Sequence, residues 1–280
     1  MAERPDFRQW FAGLILALAV LTGPPQAGES LAEGGALLGS ASPALVESDR
    51  ADRLGAPVSA GTIRSILGLF LPFLPGPTEA APPQDWAVQE FTGSARFRVA
   101  HVGRTGVVRL ESEETSFALY RDVEVDLAAF PYLTWAWRVD ELPQGGDVRR
   151  PDADDQAAQL YIVFPRFPAM LRSRVLGYVW DSSAPAGSAL VSAATPLARI
   201  VVLQSGSVRT GRWVQETRNI LEDYRRLFQE DPPPVGRVSL LINSQHTRSR
   251  AVAWFGPIRF APRPPRQDVG FIQASFPFQP

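Results

Sequence analysis

Four carboxylates fall within nine residues at Asp147, Asp152, Asp154 and Asp155, with Arg149 and Arg150 among them. Oxygen ligands at that density can hold a hard cation, although the same acids can also pair with the loop's own arginines. A second candidate is the segment WVQETRN at Trp213–Asn219. If it is a strand, Val214, Glu216 and Arg218 share one face and Trp213, Gln215 and Thr217 the other. Glu216 set across a cleft from Asp154, Asp155 or Asp223 could do general acid and base work on a glycosidic or uronic-acid bond. A Glu216–Arg218 pair tying strand to helix is the alternative. The third signal is aromatic. Tyr178 and Trp180 alternate on one strand face before the loop DSSAPAGS, and are expected to form a partly exposed platform for a sugar ring. With Trp137, Asp155, Glu216 and Arg218 they make up the expected ligand-binding set, while filling the core is the competing use of such rings.

Other chemistries are narrowed by composition. The chain has no cysteine, which excludes thiolate nucleophiles, disulfides and zinc knuckles. Its two histidines, His101 and His246, cannot form a three-histidine metal site, and neither accompanies a serine in a nucleophile-elbow context. All 28 basic residues are arginine, so lysine chemistry is absent, and 29 acids bring the net charge to -1. That balance provides no general attraction for a phosphate backbone, so nucleic acid is not an expected partner. No cofactor and no metal site are expected.

The elements that must position these residues read as strands. Short β-branched and aromatic runs recur from Asp85 onward, broken by Gly, Pro, Asp and Ser clusters. Strands are predicted at 95–102, 106–111, 116–125, 133–139, 158–164, 175–180, 198–204, 213–218, 237–243 and 251–260. In the fourth of these, Leu133, Trp135, Trp137 and Val139 alternate with Thr134, Ala136 and Arg138, so one face must be buried. One helix is predicted at 220–229. Its apolar stripe is Ile220, Leu221, Tyr224, Leu227 and Phe228, its N-cap is Asn219 with Glu222 three residues on, and Pro232–Pro234 stop it. The expected fold is all-β, a jelly-roll-like sandwich of about ten antiparallel strands with one short packed helix.

The ends read differently. Residues 1–27 resemble a signal peptide, with the apolar run Phe11–Leu21 too short to span a bilayer, and the expected location is periplasmic or secreted. Residues 28–84 read as a flexible linker containing an apolar segment at 63–74, which either covers the domain or makes peripheral contact with the envelope. The folded domain is expected at 85–261 and a Pro-rich tail at 262–280. The oligomeric state is left open.

DWAVQEF at Asp85, PYLTWAWRV at Pro131, DDQAAQLYIVF at Asp154, GYVW at Gly177, WVQETRNILEDYRRLF at Trp213 and AWFGPIRF at Ala253 occur in one order. Together they resemble the uncharacterised bacterial domain-of-unknown-function family 3047. The resemblance implies an exported, mostly β protein similar to galactose-binding-like jelly-roll modules, and carries no established activity. The family pattern has Arg where this chain has Gln159, and an acidic Asp- and Asn-rich turn where it has Asn243, Gln245 and His246. A cation held by that turn in relatives would lose two carboxylates here. The expected function is therefore an exported β-sandwich that binds carbohydrate or cell-envelope glycan. The alternatives are a glycan hydrolase or lyase using paired carboxylates, and a non-catalytic envelope scaffold.

Overall fold

The structure is a computed structural model that describes residues 70–71, 81–103 and 105–265. The predicted signal peptide, most of the linker and most of the tail lie outside the described residues. Among the described residues, fourteen strands build two sheets that face each other.

In sheet A, β1 (Phe70–Leu71), β14 (Ile258–Ala261), β6 (Tyr132–Glu141), β13 (Arg250–Phe255), β4 (Thr105–Glu113) and β3 (Arg96–Val102) follow one another, and β11 (Val214–Asn219) pairs along the other edge of β6. Strands β13 and β14 occupy one edge of β6 in succession. The single predicted strand at 251–260 is interrupted because Pro257 has no N–H for the ladder. At the break, Gly256 N–H donates to Ala136 O (2.8 Å). Part of the apolar segment 63–74 is strand β1, antiparallel to β14.

Sheet B runs β2 (Ala87–Thr92), β5 (Ser116–Val125), β12 (Val235–Asn243), β7 (Ala158–Phe164), β8 (Arg174–Asp181), β10 (Ala198–Ser205), β9 (Ala189–Val191). Strands β8 and β10 are parallel, which corrects the all-antiparallel expectation. The loop after β8, which carries β9, is long enough to return the chain to the same end before β10 begins. Edge strands β2 and β9 escaped prediction because neither buries a full face and so neither shows clean alternation. Strand β7 is the opposite case. Every residue of AQLYIVF is buried, since both faces of this central strand are covered.

Between the sheets, Leu133, Trp135, Trp137 and Val139 meet Leu176, Tyr178 and Trp180, all 0% exposed. The rings interlock, with centroids 5.3 Å apart for Trp135–Tyr178, 5.5 Å for Trp135–Trp137 and 6.2 Å for Trp137–Trp180. Truncating any of these tryptophans to alanine would cost about 3–5 kcal/mol. The helix α2 (Ile220–Phe228), which follows the single turn α1 (Ala169–Arg172), lays its stripe on this core, with Tyr224 4.5 Å from Phe164. Asn219 caps it as predicted, its side chain accepting from Glu222 N–H (3.2 Å), and Gln229 ends it in a left-handed conformation (φ 56°).

Candidate functional site

The expected aromatic platform is buried. Tyr178 and Trp180 point into the core at 0% exposure, as does Trp137, so no ligand can stack on them without opening the sandwich. The alternation that aligned them on one face is real, but that face is the inner one. Trp180 Nε1–H donates to Gly206 O (3.1 Å) and Tyr178 O–H to Asp223 Oδ2 (2.8 Å).

Two of the expected carboxylates, Asp223 and Asp155, are committed to other partners. Arg218 makes a bidentate contact with Asp223 (2.8 and 2.7 Å), and Arg226 adds a third bond (3.0 Å). Burial works to raise the Asp223 pKa, but Arg218, Arg226 and Tyr178 outweigh it and hold the carboxyl below its ordinary value. This group ties β11, α2 and β8 together. Asp155 is 0% exposed and is consumed by the 244–249 turn, accepting from Thr247 N–H (2.6 Å), Thr247 Oγ1–H (2.7 Å) and His246 N–H (3.3 Å). Asp147 and Asp152 pair with Arg149 and Arg150 in their own loop (2.6 Å each).

Two of the predicted acids keep unusual properties. Burial pushes Glu216 up, against a hydrogen bond from Gln204 (2.7 Å), and pushes Asp154 to about 6, against one from Gln156 (2.9 Å). No hydrogen bond or ion pair joins the two among the described residues. The charges acting on Glu216 are Arg209 and Arg218, whereas those acting on Asp154 are His246, Asp155 and Asp181.

Asp154 belongs to a different surface, the outer face of sheet B. Register places Gln89, Ala118, Leu241, Gln159, Val179 and Val202 in one row of that face. The next row is Tyr120, Ser239, Tyr161, Gly177 and Ile200, and the one after holds Asp122, Arg237, Val163 and Val175. Toward β8 and β10 the face is apolar, and Val148 and Ala184 from the flanking loops pack into it. Toward β5 and β12 it is polar and aromatic.

Three details define this polar half. Tyr161 lies against Gly177, where an added Cβ would stand 2.7 Å from the ring's Cδ1. Arg237, 1% exposed, stacks its guanidinium 4.0 Å from the centroid of Tyr120 and donates to Asp122 Oδ1 (2.6 Å). Between the two tyrosines sits Ser239, 0% exposed, whose hydroxyl has no hydrogen-bond partner among the described residues. An unpaired buried hydroxyl costs about 1–3 kcal/mol, so its retention on a non-core face calls for an explanation.

At the loop end of the strip, Asn243 Oδ1 accepts from Gln159 Nε2–H (2.7 Å) and Gln156 N–H (2.8 Å), and its Nδ2–H donates to Asp154 O (2.6 Å). These bonds fix the backbone beside Asp154, whose charge in turn helps keep the Tyr161 phenol protonated after burial, the larger cause. Ser239 and Arg237 were not singled out from sequence, and Gln159 only as the position where the family pattern has Arg. Their signal was a polar side chain facing away from the inner apolar positions of otherwise apolar strands, together with an unexplained glycine in GYVW.

The family described as "Protein of unknown function (DUF3047)" matches residues 84–259, well over half of the chain. The chain belongs to this family. Both sheets of the DUF3047 domain, except β1 and the end of β14, fall inside the match. No curated protein matches. Among solved structures, the DUF3047 chain is similar to the family 11 carbohydrate-binding module of a cellulosomal cellulase of Clostridium thermocellum (8% identity, 71% of this chain and 97% of that one, TM-score 0.39). It is also similar to that organism's family 11 module in complex with a β-1,3-1,4-mixed-linked tetrasaccharide (8%, 66% and 93%, TM-score 0.35). A third is the K1 cleaved adhesin domain of Lys-gingipain from Porphyromonas gingivalis W83 (13%, 70% and 98%, TM-score 0.33).

Proposed function

We propose that this protein is an exported β-sandwich that binds carbohydrate along the outer face of sheet B, without catalysing a reaction on it. The observation that carries the reading is the partly accessible Tyr120 ring on the outer face of sheet B, with partly accessible Gln89, Asn243 and Asp154 bordering the same face. A sugar ring offers apolar C–H faces to tyrosine and a fringe of hydroxyls to hydrogen-bonding side chains. Partly accessible Tyr120, Gln89, Asn243 and Asp154 border the buried floor of Ser239, Gln159 and Tyr161. Tyr120 would stack on the apolar face of the ring, and Asp154 would accept from a ligand hydroxyl. Export rests on the Phe11–Leu21 run and its Gly-Pro-Pro stop.

The test is calorimetric titration of the full chain with neutral β-glucan, chitin-derived and uronic-acid oligosaccharides, with reducing ends assayed in the same samples. Saturable heat that disappears in Tyr120→Ala supports the reading. Absence of heat for every glycan class, or heat that Tyr120→Ala leaves unchanged, overturns it, and released reducing ends would replace binding with hydrolysis.

A further inference from the structure

Away from the sugar face, the loop between β7 and β8 reads PRFPAMLRSR, with three arginines and no acid. Phe167 is 78% and Leu171 72% exposed, whereas Phe164 and Val175, at the strand ends beside it, are 0%. The loop is held in shape. Arg166 N–H donates to Ser173 Oγ (3.2 Å), and Leu171 and Arg172 N–H both donate to Pro168 O (3.1 and 3.0 Å). Its base is clamped to the end of α2, where Arg166 and Arg174 share Glu230 (3.5 and 3.1 Å) and Arg166 also donates to Asp231 O (2.5 Å). Arg172 is exposed at the tip and makes no ion pair among the described residues. The nearby exposed Arg225 and Arg226 are committed to Asp231 and Asp223.

A fixed turn that holds two large apolar side chains in water, with an uncommitted guanidinium beside them, matches an interface that is apolar below and anionic at its surface. We infer that this loop is a membrane-interfacial contact, with Phe167 and Leu171 seated among acyl chains and Arg172 on the phosphate of an anionic phospholipid. The pairing follows charge and shape. The two large side chains stand 78% and 72% exposed, and among the described residues of the loop the unmatched charge is positive. The inference is independent of the carbohydrate reading and uses the opposite end of β7 from Asp154.

The experiment is sedimentation of the full chain with vesicles of phosphatidylglycerol and phosphatidylcholine, compared with phosphatidylcholine alone. Binding is expected only to the anionic vesicles and to weaken as salt rises. Phe167→Ser with Leu171→Ser is expected to reduce it at least tenfold. Arg172→Glu, which changes the charge by two, is expected to reduce it about tenfold or more. All three side chains lie outside the core, so thermal unfolding of the variants serves as the folding control. Failure of the wild type to sediment with anionic vesicles overturns the inference, as does equal binding to neutral ones. Full binding by the double serine variant also overturns it, by placing the contact elsewhere, such as segment 63–74.

Discussion

The Tyr161 ring lies on Gly177 of the neighbouring strand, in a space that only a residue without a Cβ leaves open. An added methyl would also meet Ile200 Cδ1 at 2.8 Å, so neither neighbour can yield without displacing the other. This contact sets the height of the phenol above the sheet.

Gly177→Ala is accordingly expected to destabilise the domain by about 1–3 kcal/mol through overpacking. Chemical denaturation measures it. The same variant should weaken glycan binding, because Tyr161 must tilt, and unaltered stability would show that the ring is free to move.

Ser239→Ala separates stability from function. Removing an unpaired buried hydroxyl should leave stability unchanged or raise it by about 1 kcal/mol, while glycan affinity is unchanged because the hydroxyl lies beneath the accessible surface. Calorimetry and thermal unfolding on the same sample decide the matter. A loss of stability instead would mean that the hydroxyl already has a structural partner.

Asp223 anchors β11, α2 and β8 through half-exposed Arg218 and Arg226 and buried Tyr178, and losing this set of hydrogen bonds costs about 1–3 kcal/mol. Asp223→Ala should show that loss at neutral pH in denaturant titrations. Because the folded pKa is depressed, the contribution is present above the ordinary Asp value and fades as pH falls through the lower folded one. Wild type and variant should therefore draw closer as pH falls below the ordinary Asp value.

Asp154 acts with the opposite sign. Its folded pKa, about 6 against 3.8, means that the folded state retains a proton the unfolded state has released. Stability should then decline as pH rises from about 4 to about 6, by about 1–3 kcal/mol. The raised His246 pKa, held up by Asp155, adds a decline of the same sign at higher pH. Asp154→Asn should remove the lower part of this slope in unfolding experiments at stepped pH. If Asp154 accepts from the ligand, glycan affinity in the wild type should also rise as pH passes 6.

Much of the architecture was legible from periodicity. Leu133, Trp135, Trp137 and Val139 announced a buried face, and Asn219 with Pro232–Pro234 bounded the helix, because alternation and capping are local properties of the chain. The break at Gly256–Pro257 and the edge strands were not, since an edge strand has half the neighbours and a correspondingly weak pattern.

The site was least legible. Composition alone excluded cysteine and lysine chemistry, and the ordered motifs from Asp85 to Ala253 carried the family. Which face of β8 looks inward, however, is a property of two sheets and not of one strand. Tyr178 and Trp180 alternate as well as any exposed platform would, and only the opposing Trp135 and Trp137 make their face the core. The tertiary structure also decided that Asp223 answers to Arg218 while Asp155 answers to a turn about ninety residues away. It likewise brought Tyr120, Ser239 and Tyr161 from three separate strands into one row. Sequence spacing determines which side chains share a face. Burial and charge pairing depend on what the rest of the chain places opposite, and that is settled only when the sheets close.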